Sequence, residues 1–162
     1  GVVDADLLPF VRQAFETVAM AKVATSAKEA QKLGFMRSTD KITINRDHLL
    51  HDAKKTVLDL IREGYRPPRP KKHIKVMGER GYALLQMGLF YMREGGYISQ
   101  YDEHVAKKLA YIMSGGNLPD GTEVTEQYIL DLEREAFVSL CGEPKTQERI
   151  EYMLKTGKPL RN

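Results

Sequence analysis

Helix punctuation is what most limits the folds open to this chain. Apolar residues recur at steps of three and four in stretch after stretch, and a capping residue or a glycine marks most of the ends. The clearest case is short. In Ser26-Ala-Lys-Glu-Ala-Gln-Lys-Leu-Gly34 the serine is placed to cap the first free amides, Glu29 stands three residues on, where a capping box wants an acid, and Gly34 stops the helix. Only Ala27, Ala30 and Leu33 give it an apolar face, too little burial to hold so short a helix without neighbours. It is expected to dock on something larger.

The same reading extends along the chain. Leu8, Val11, Phe15 and Val18 form one stripe over residues 7–23, with Pro9 tolerated only in the first turn. Residues 35–45 look irregular or briefly extended, after which Asn45 or Asp47 caps a third helix. Its buried face is expected to be Leu49, Leu50, Ala53, Val57, Leu60 and Ile61, and Gly64 with Pro67 ends it. Residues 79–93 form an apolar-rich helix closed by Gly95-Gly96, and Ser99 with Asp102 caps the next, which carries Tyr101, Val105, Leu109 and Ile112 as far as Gly115-Gly116. Turn chemistry at Asn117–Gly121 leads to a helix capped by Thr125, with Val124 and Ile129 at the positions of a hydrophobic staple and a stripe of Ile129, Leu132, Ala136, Phe137 and Leu140. Glu143-Pro144 breaks the chain, and Thr146 is expected to cap a last helix bearing Ile150, Met153 and Leu154, closed by Gly157 and Pro159. The pattern predicts an all-α fold, an irregular bundle of about seven helices with no convincing strand pair and no repeat of fixed period.

Arg66-Pro-Pro-Arg-Pro-Lys-Lys-His73 interrupts this pattern. Its prolines remove backbone donors and fix an extended course while the basic groups keep it wet, as in a linker or a strap across a surface. With 162 residues there is material for one ordinary domain. A net charge of +3, from 25 basic and 22 acidic side chains, is too mild and too mixed to mark a nucleic-acid binder. No apolar run approaches the roughly 20 residues of a spanning helix, so no membrane span is expected. One cysteine excludes a disulfide framework and points to the cytoplasm. Gly1-Val-Val-Asp4 is not a translational start, and the chain reads as cut from a longer protein.

Candidate chemistry is sparse. His48, His51 and Asp52 share one helical face and have ligand-like chemistry, but no further Cys or His pair completes a site, so a solvated face is the better reading and no metal is expected. Cys141 near a helix C-terminus lacks the electropositive setting of a reactive thiol. Glu133 and Glu135 are two apart on a helix and point apart. Met87, Met92, Met113 and Met153 with Phe90, Tyr91 and Tyr111 have the adaptable chemistry of a lipid-like pocket, yet their helical spacing favours ordinary core. No glycine-rich phosphate loop occurs. Lys155, Lys158 and Arg161 gather past the last apolar turn, where cations complement a helix C-terminus and suit a phosphate.

Two quoted stretches carry a resemblance. FETVAMAKVATSAKEAQKLGFM resembles the segment that follows the active-site region in the enoyl-CoA hydratase/isomerase (crotonase) family, and EREAFVSLCGEPKTQERIEYMLKTGKPLRN resembles that family's end. The whole chain is most similar to the C-terminal part of large bacterial 3-hydroxyacyl-CoA dehydrogenases that carry a hydratase-like region. The resemblance implies crotonase-like helices over residues 1–65, the basic proline strap over 66–78, a subgroup-specific helical insertion over 79–124 and terminal helices over 125–162. It implies a parent that hydrates 2-enoyl-CoA and oxidises 3-hydroxyacyl-CoA with NAD, the oxyanion amides, acid–base glutamates and dinucleotide fold lying upstream, so that no catalytic residue is carried over. Lys155, Lys158 and Arg161 become candidate contacts to the phosphates of acyl-CoA, with the rest of the parent polypeptide and a homo-oligomer neighbour as further partners. The rival reading is a stand-alone helical interaction module, and DNA binding through 66–73 comes third.

Overall fold

A computed structural model describes residues 6–162, so that the opening Gly1-Val-Val-Asp4 lies outside the described residues. The fold is all-α. Among the described residues the helices are Leu8–Ala19 (α1), Ala27–Leu33 (α2), Leu49–Arg62 (α3), Gly78–Glu94 (α4), Gln100–Ser114 (α5), Glu126–Cys141 (α6) and Pro144–Thr156 (α7), with one 3-10 turn at Arg46–His48. One small antiparallel pair, unexpected from the sequence, joins Ile74–Lys75 (β1) to Glu123–Val124 (β2), with Ile74 opposite Val124. It forms because the end of the strap runs beside the turn before α6, where the Val76 N–H donates to the Thr122 carbonyl at 3.0 Å and the Gly121 N–H to that of Val76 at 2.9 Å.

The chain falls into two compact units: a larger one made of the residues up to Met20 with Pro70–Asn162, and a smaller one of Ala21–Arg69. In the larger unit α5 is the central element, packed by α1, α4 and α6, while α7 packs on α6. Phe15, Leu85, Leu89, Ala106 and Ala110 form the core, with Val11, Tyr82, Ile98, Leu109 and Met113 packed against it. The line of deepest burial on α5 differs from the expected stripe. Tyr101 and Glu103 are buried, but Val105, Leu109 and Ile112 are only half-buried, and the buried line continues through Ala106 to Ala110 and Ser114, which are fully enclosed. A helix enclosed on several sides is approached most closely where its side chains are small, so burial follows the small residues.

Two glycines permit that closeness. Gly115 ends α5 at φ +81°, and a Cβ there would lie 2.5 Å from the Cβ of Val76. Gly78 opens α4 at φ +52°, where a Cβ would fall 1.7 Å from the carbonyl oxygen of Leu118. Both conformations are ones that L side chains rarely adopt. The Ser99 cap forms as expected: its Oγ accepts the Asp102 N–H at 3.0 Å, and Asp102 Oδ2 accepts the Ser99 N–H at 3.1 Å. Thr125 likewise accepts the Tyr128 N–H at 3.1 Å.

Other helix ends depart from the expectation. α1 stops at Ala19 rather than near residue 23, and Ala21 takes φ +48°, a left-handed residue that turns the chain away. α7 starts at Pro144, so Thr146 is not its cap; its hydroxyl is engaged by Tyr101 instead. At α2, Ser26 accepts the Glu29 N–H at 3.1 Å, but Glu29 returns to Thr25, accepting its N–H at 2.6 Å and its hydroxyl at 2.5 Å. Gly34, at φ +83°, ends the helix.

The smaller unit has no residue in the buried class. The expected buried face of α3 is exposed: Leu50 is 82% exposed, Ile61 67% and Val57 54%. Its most covered side chains are polar, namely Asp52, Thr56 and Asp59. The cause is local, since the segment before the helix ties itself to that side through Thr43 Oγ1, which donates to Asp52 Oδ2 at 2.9 Å. α2, expected to dock through Ala27, Ala30 and Leu33, leaves them no more than half-buried.

Candidate functional site

The three tail cations sit at the open end of α7. Gly157 closes the helix at φ +67°, which throws Lys158 and the following residues off its axis. Lys155, Lys158 and Arg161 are all exposed. Lys155 is paired with Glu151 one turn back, and its ammonium holds that carboxyl below the usual carboxylate range. Lys158 donates its backbone N–H to Thr156 Oγ1 at 3.1 Å, leaving its ammonium in solvent. Of the three, Lys158 and Arg161 are the cations whose side chains make no ion pair among the described residues, and they are the two free to take a phosphate.

What holds this tail was missed in the sequence. Asn162 returns to the side of α7: its Oδ1 accepts from Arg149 Nε at 2.8 Å, its Nδ2 donates to Glu148 Oε2 at 2.8 Å, and its backbone oxygen accepts from Ser99 Oγ at 3.3 Å. Arg149 also pairs with Asp102 at 2.9 Å and lies over the Tyr101 ring at 4.9 Å. Tyr101 in turn donates its hydroxyl to Glu143 Oε2 at 2.9 Å and lies 2.7 Å from Thr146 Oγ1. His104 stacks on Tyr101 and meets Glu143 Oε1 at 2.9 Å. A clasp therefore joins the start of α5 to α7 and to the end of the tail.

Its electrostatics are those of a closed network. Burial works against the Asp102 charge, but hydrogen bonds from the Ser99 N–H and Arg149 outweigh it, and the carboxyl sits below its ordinary value. The His104 and Tyr101 hydrogen bonds hold Glu143 low as well. Burial, with Glu143 beside it, pushes the Tyr101 hydroxyl up. A His, a Tyr and a Glu together suggest acid–base work, yet both Glu143 oxygens are engaged within the network. Its geometry suits positioning of the tail. The sequence signal available was thin: Tyr101 and His104 three apart on one helix face, with their partners some 40 residues further on.

The remaining candidates disperse. His48 and His51 are exposed, Asp52 is half-buried on Thr43, and among the described residues no three His, Cys, Asp or Glu side chains gather as a metal site. Cys141 is a free, half-buried cysteine whose carbonyl accepts from Gln147 at 3.0 Å. Glu133 and Glu135 are exposed. Met87, Phe90, Tyr91 and Met153 are exposed and only Met92, Tyr111 and Met113 are half-buried, so the methionine and aromatic set is largely outside the core. In the strap, Lys71 exchanges hydrogen bonds with Glu126 at 2.9 and 3.0 Å, and His73 meets Glu123 at 2.9 Å, which uses part of its polar surface. In the smaller unit a groove of about 960 Å³ opens between residues 39–43 and α3.

Fold and site together define a helical module whose best-organised polar cluster is a clasp around a basic tail. Over 148 residues, 91% of its length, the chain is 54% identical to a probable 3-hydroxyacyl-CoA dehydrogenase of Bacillus subtilis (strain 168). It spans 19% of the length of that curated relative. No family model and no solved structure matches it. No helix among the described residues is long and apolar enough to cross a membrane.

Proposed function

We propose that this chain is a non-catalytic helical segment at the C-terminal end of a longer 3-hydroxyacyl-CoA dehydrogenase of fatty-acid β-oxidation, where it completes a hydratase-like (crotonase) region and contacts acyl-CoA. The observation that carries this reading is the 54% identity to a probable 3-hydroxyacyl-CoA dehydrogenase through 91% of the chain but 19% of the relative. Four-fifths of that relative lies outside the match, room for a dinucleotide-binding fold and for hydratase chemistry. In this reading NAD belongs to the rest of the polypeptide, and the parent works in the cytoplasm.

The tail is the part of this chain that meets the ligand. Lys158 and Arg161 offer two free cations on a backbone fixed by the Asn162 clasp, and a fixed backbone lowers the ordering cost of gripping phosphate. Lys155, already paired with Glu151, contributes less. The test is a calorimetric titration of CoA and of an acyl-CoA into the chain and into a Lys155→Ala/Lys158→Ala/Arg161→Ala variant. Weak binding to the first, reduced about tenfold or more in the second, supports the reading, since each lost phosphate contact is worth about 1 kcal/mol or more. Binding to neither moves the balance to a helical interaction module, which the uncovered apolar face of α3 favours. Enoyl-CoA hydration or NAD reduction by the isolated 162 residues would defeat the non-catalytic assignment.

A further inference from the structure

We infer that the apolar face of α3 is an intramolecular docking face, the place at which Ala21–Arg69 is held against the remainder of the longer polypeptide. The smaller unit acquires a stable fold only there. The inference rests on the proposed function for the existence of that remainder, and names the surface it meets.

The first support is an inverted helix. Positions 49, 53, 57 and 60, with 50 and 61 beside them, fall on one side of an α-helix, and all are apolar. That side faces water, while the half-buried positions 52, 56 and 59 carry two aspartates and a threonine. Lys41 adds a hydrogen bond at 3.5 Å to Thr56, so the preceding segment is committed to the polar side. Packing within the unit has thus taken up the wrong face for a self-contained fold and left the right one open.

The second support is the absence of a core. None of the residues from Ala21 to Arg69 is buried, although a unit of that size depends on burying most of what it can. Its helices have 7 and 14 residues, lengths that are marginal in water without packing. Yet Ser26 caps α2 by a hydrogen bond, Gly34 ends it with a left-handed stop, and Asn45 caps the 3-10 turn that leads into α3. Ends specified so closely, with nothing inside, belong to elements whose packing partner lies elsewhere.

The groove beside α3 shows what kind of partner fits. Leu49, Ala53, Val57 and Leu60 line it beside the half-buried Asp52, Thr56 and Asp59, with Ile42 across from them, and its charges are of both signs. Charges of both signs give no preference for a polyanion or an acidic peptide. Apolar side chains interspersed with polar ones and with charges of both signs are the composition of a protein–protein contact. The remainder of the polypeptide is favoured over a second copy for two reasons. The relative holds about four-fifths of its length beyond the match. Large apolar side chains are also exposed in the larger unit, at Phe10, Phe137 and Leu154, so both units keep apolar surface for a larger partner.

Amide hydrogen exchange tests this on two molecules, the 162-residue chain and the full natural polypeptide that contains it. The expected result is α3 exchanging in the short chain within about tenfold of an unstructured peptide, and at least a hundredfold more slowly in the full polypeptide, with α5 protected in both. A Leu50→Asp/Val57→Asp double variant should then speed exchange over residues 49–62 of the full polypeptide at least tenfold and leave α5 unchanged; Asp59→Asn should do neither. Equal protection of α3 in both molecules overturns the inference, and so does equal lack of it. Protection in the short chain that rises with concentration, alongside a dimer in sedimentation, overturns it in favour of a second copy. A dehydrogenase assay on the same full polypeptide separates the two failures: no turnover with the exchange pattern intact sinks the functional reading alone, and turnover with α3 unprotected sinks the docking face alone.

Discussion

α5 and α3 are nearly the same length, 15 and 14 residues, and the sequence offers each a polar cap and a glycine stop, although Asn45 caps the 3-10 turn before α3 and not the helix itself. Their surroundings differ completely. α5 is packed by three helices and buries Ala106, Ala110 and Ser114, while α3 buries nothing and shows water its apolar side. The contrast teaches that capping and periodicity specify that a helix forms and where it ends. They do not specify whether a neighbour exists to take its apolar face.

The largest effect that separates the two regions is a truncation on each side. Leu89→Ala, at a position 2% exposed in the larger unit, should cost about 3 kcal/mol in urea denaturation of the 162-residue chain. Val57→Ala in α3 should stay within about 0.5 kcal/mol; comparable losses would erase the contrast. Next comes Gly115→Ala, which asks an L residue to hold φ +81° against Val76 and should cost about 2 kcal/mol or more by the same measurement. Cap deletions give a finer comparison. Ser99→Ala should lower stability by about 1 kcal/mol, since α5 unfolds with the core, whereas Ser26→Ala at α2 should leave the main transition in place and alter only exchange rates over residues 27–33.

The smallest expected effect is a shift with pH. Asp102 and Glu143 both have carboxyls held below their ordinary values in the folded chain, by hydrogen bonds that overcome burial at Asp102 and chiefly by the His104 hydrogen bond at Glu143. A folded value below the unfolded one favours folding at any pH above the unfolded value, near about 4. That contribution is lost as the pH falls through the folded values. The melting temperature of the chain should therefore drop on acidification below about pH 4, and an Asp102→Asn variant should show a shallower drop. An unchanged acid limb in the variant would remove Asp102 from the clasp's energetics.

Much of the helical skeleton was legible because its signals are local. Ser99 with Asp102, Thr125, Gly34, Gly115 and Gly157 act within a few residues of themselves, and each does in the structure what the sequence proposes. Thr146 shows the limit. Its position suits a cap, yet its hydroxyl goes to Tyr101, 45 residues away in sequence, and no local rule weighs that competitor. The clasp was invisible for the same reason, since Arg149, Asp102 and Asn162 meet only through the packing of the larger unit. Lys155, Lys158 and Arg161 were legible as a charge cluster; that Glu151 already engages one of them follows from i,i+4 geometry on α7.

By itself the sequence determined an all-α chain, the ends of most of its helices and the apolar stripe on each, because caps, glycines and residue spacing act over one or two turns. Only the tertiary structure decided which stripes are spent. α5 is buried most deeply along its small residues, because neighbours approach closest where side chains are short. α3 keeps its apolar face in water, because the segment before it binds the polar side and nothing in its own unit reaches the other.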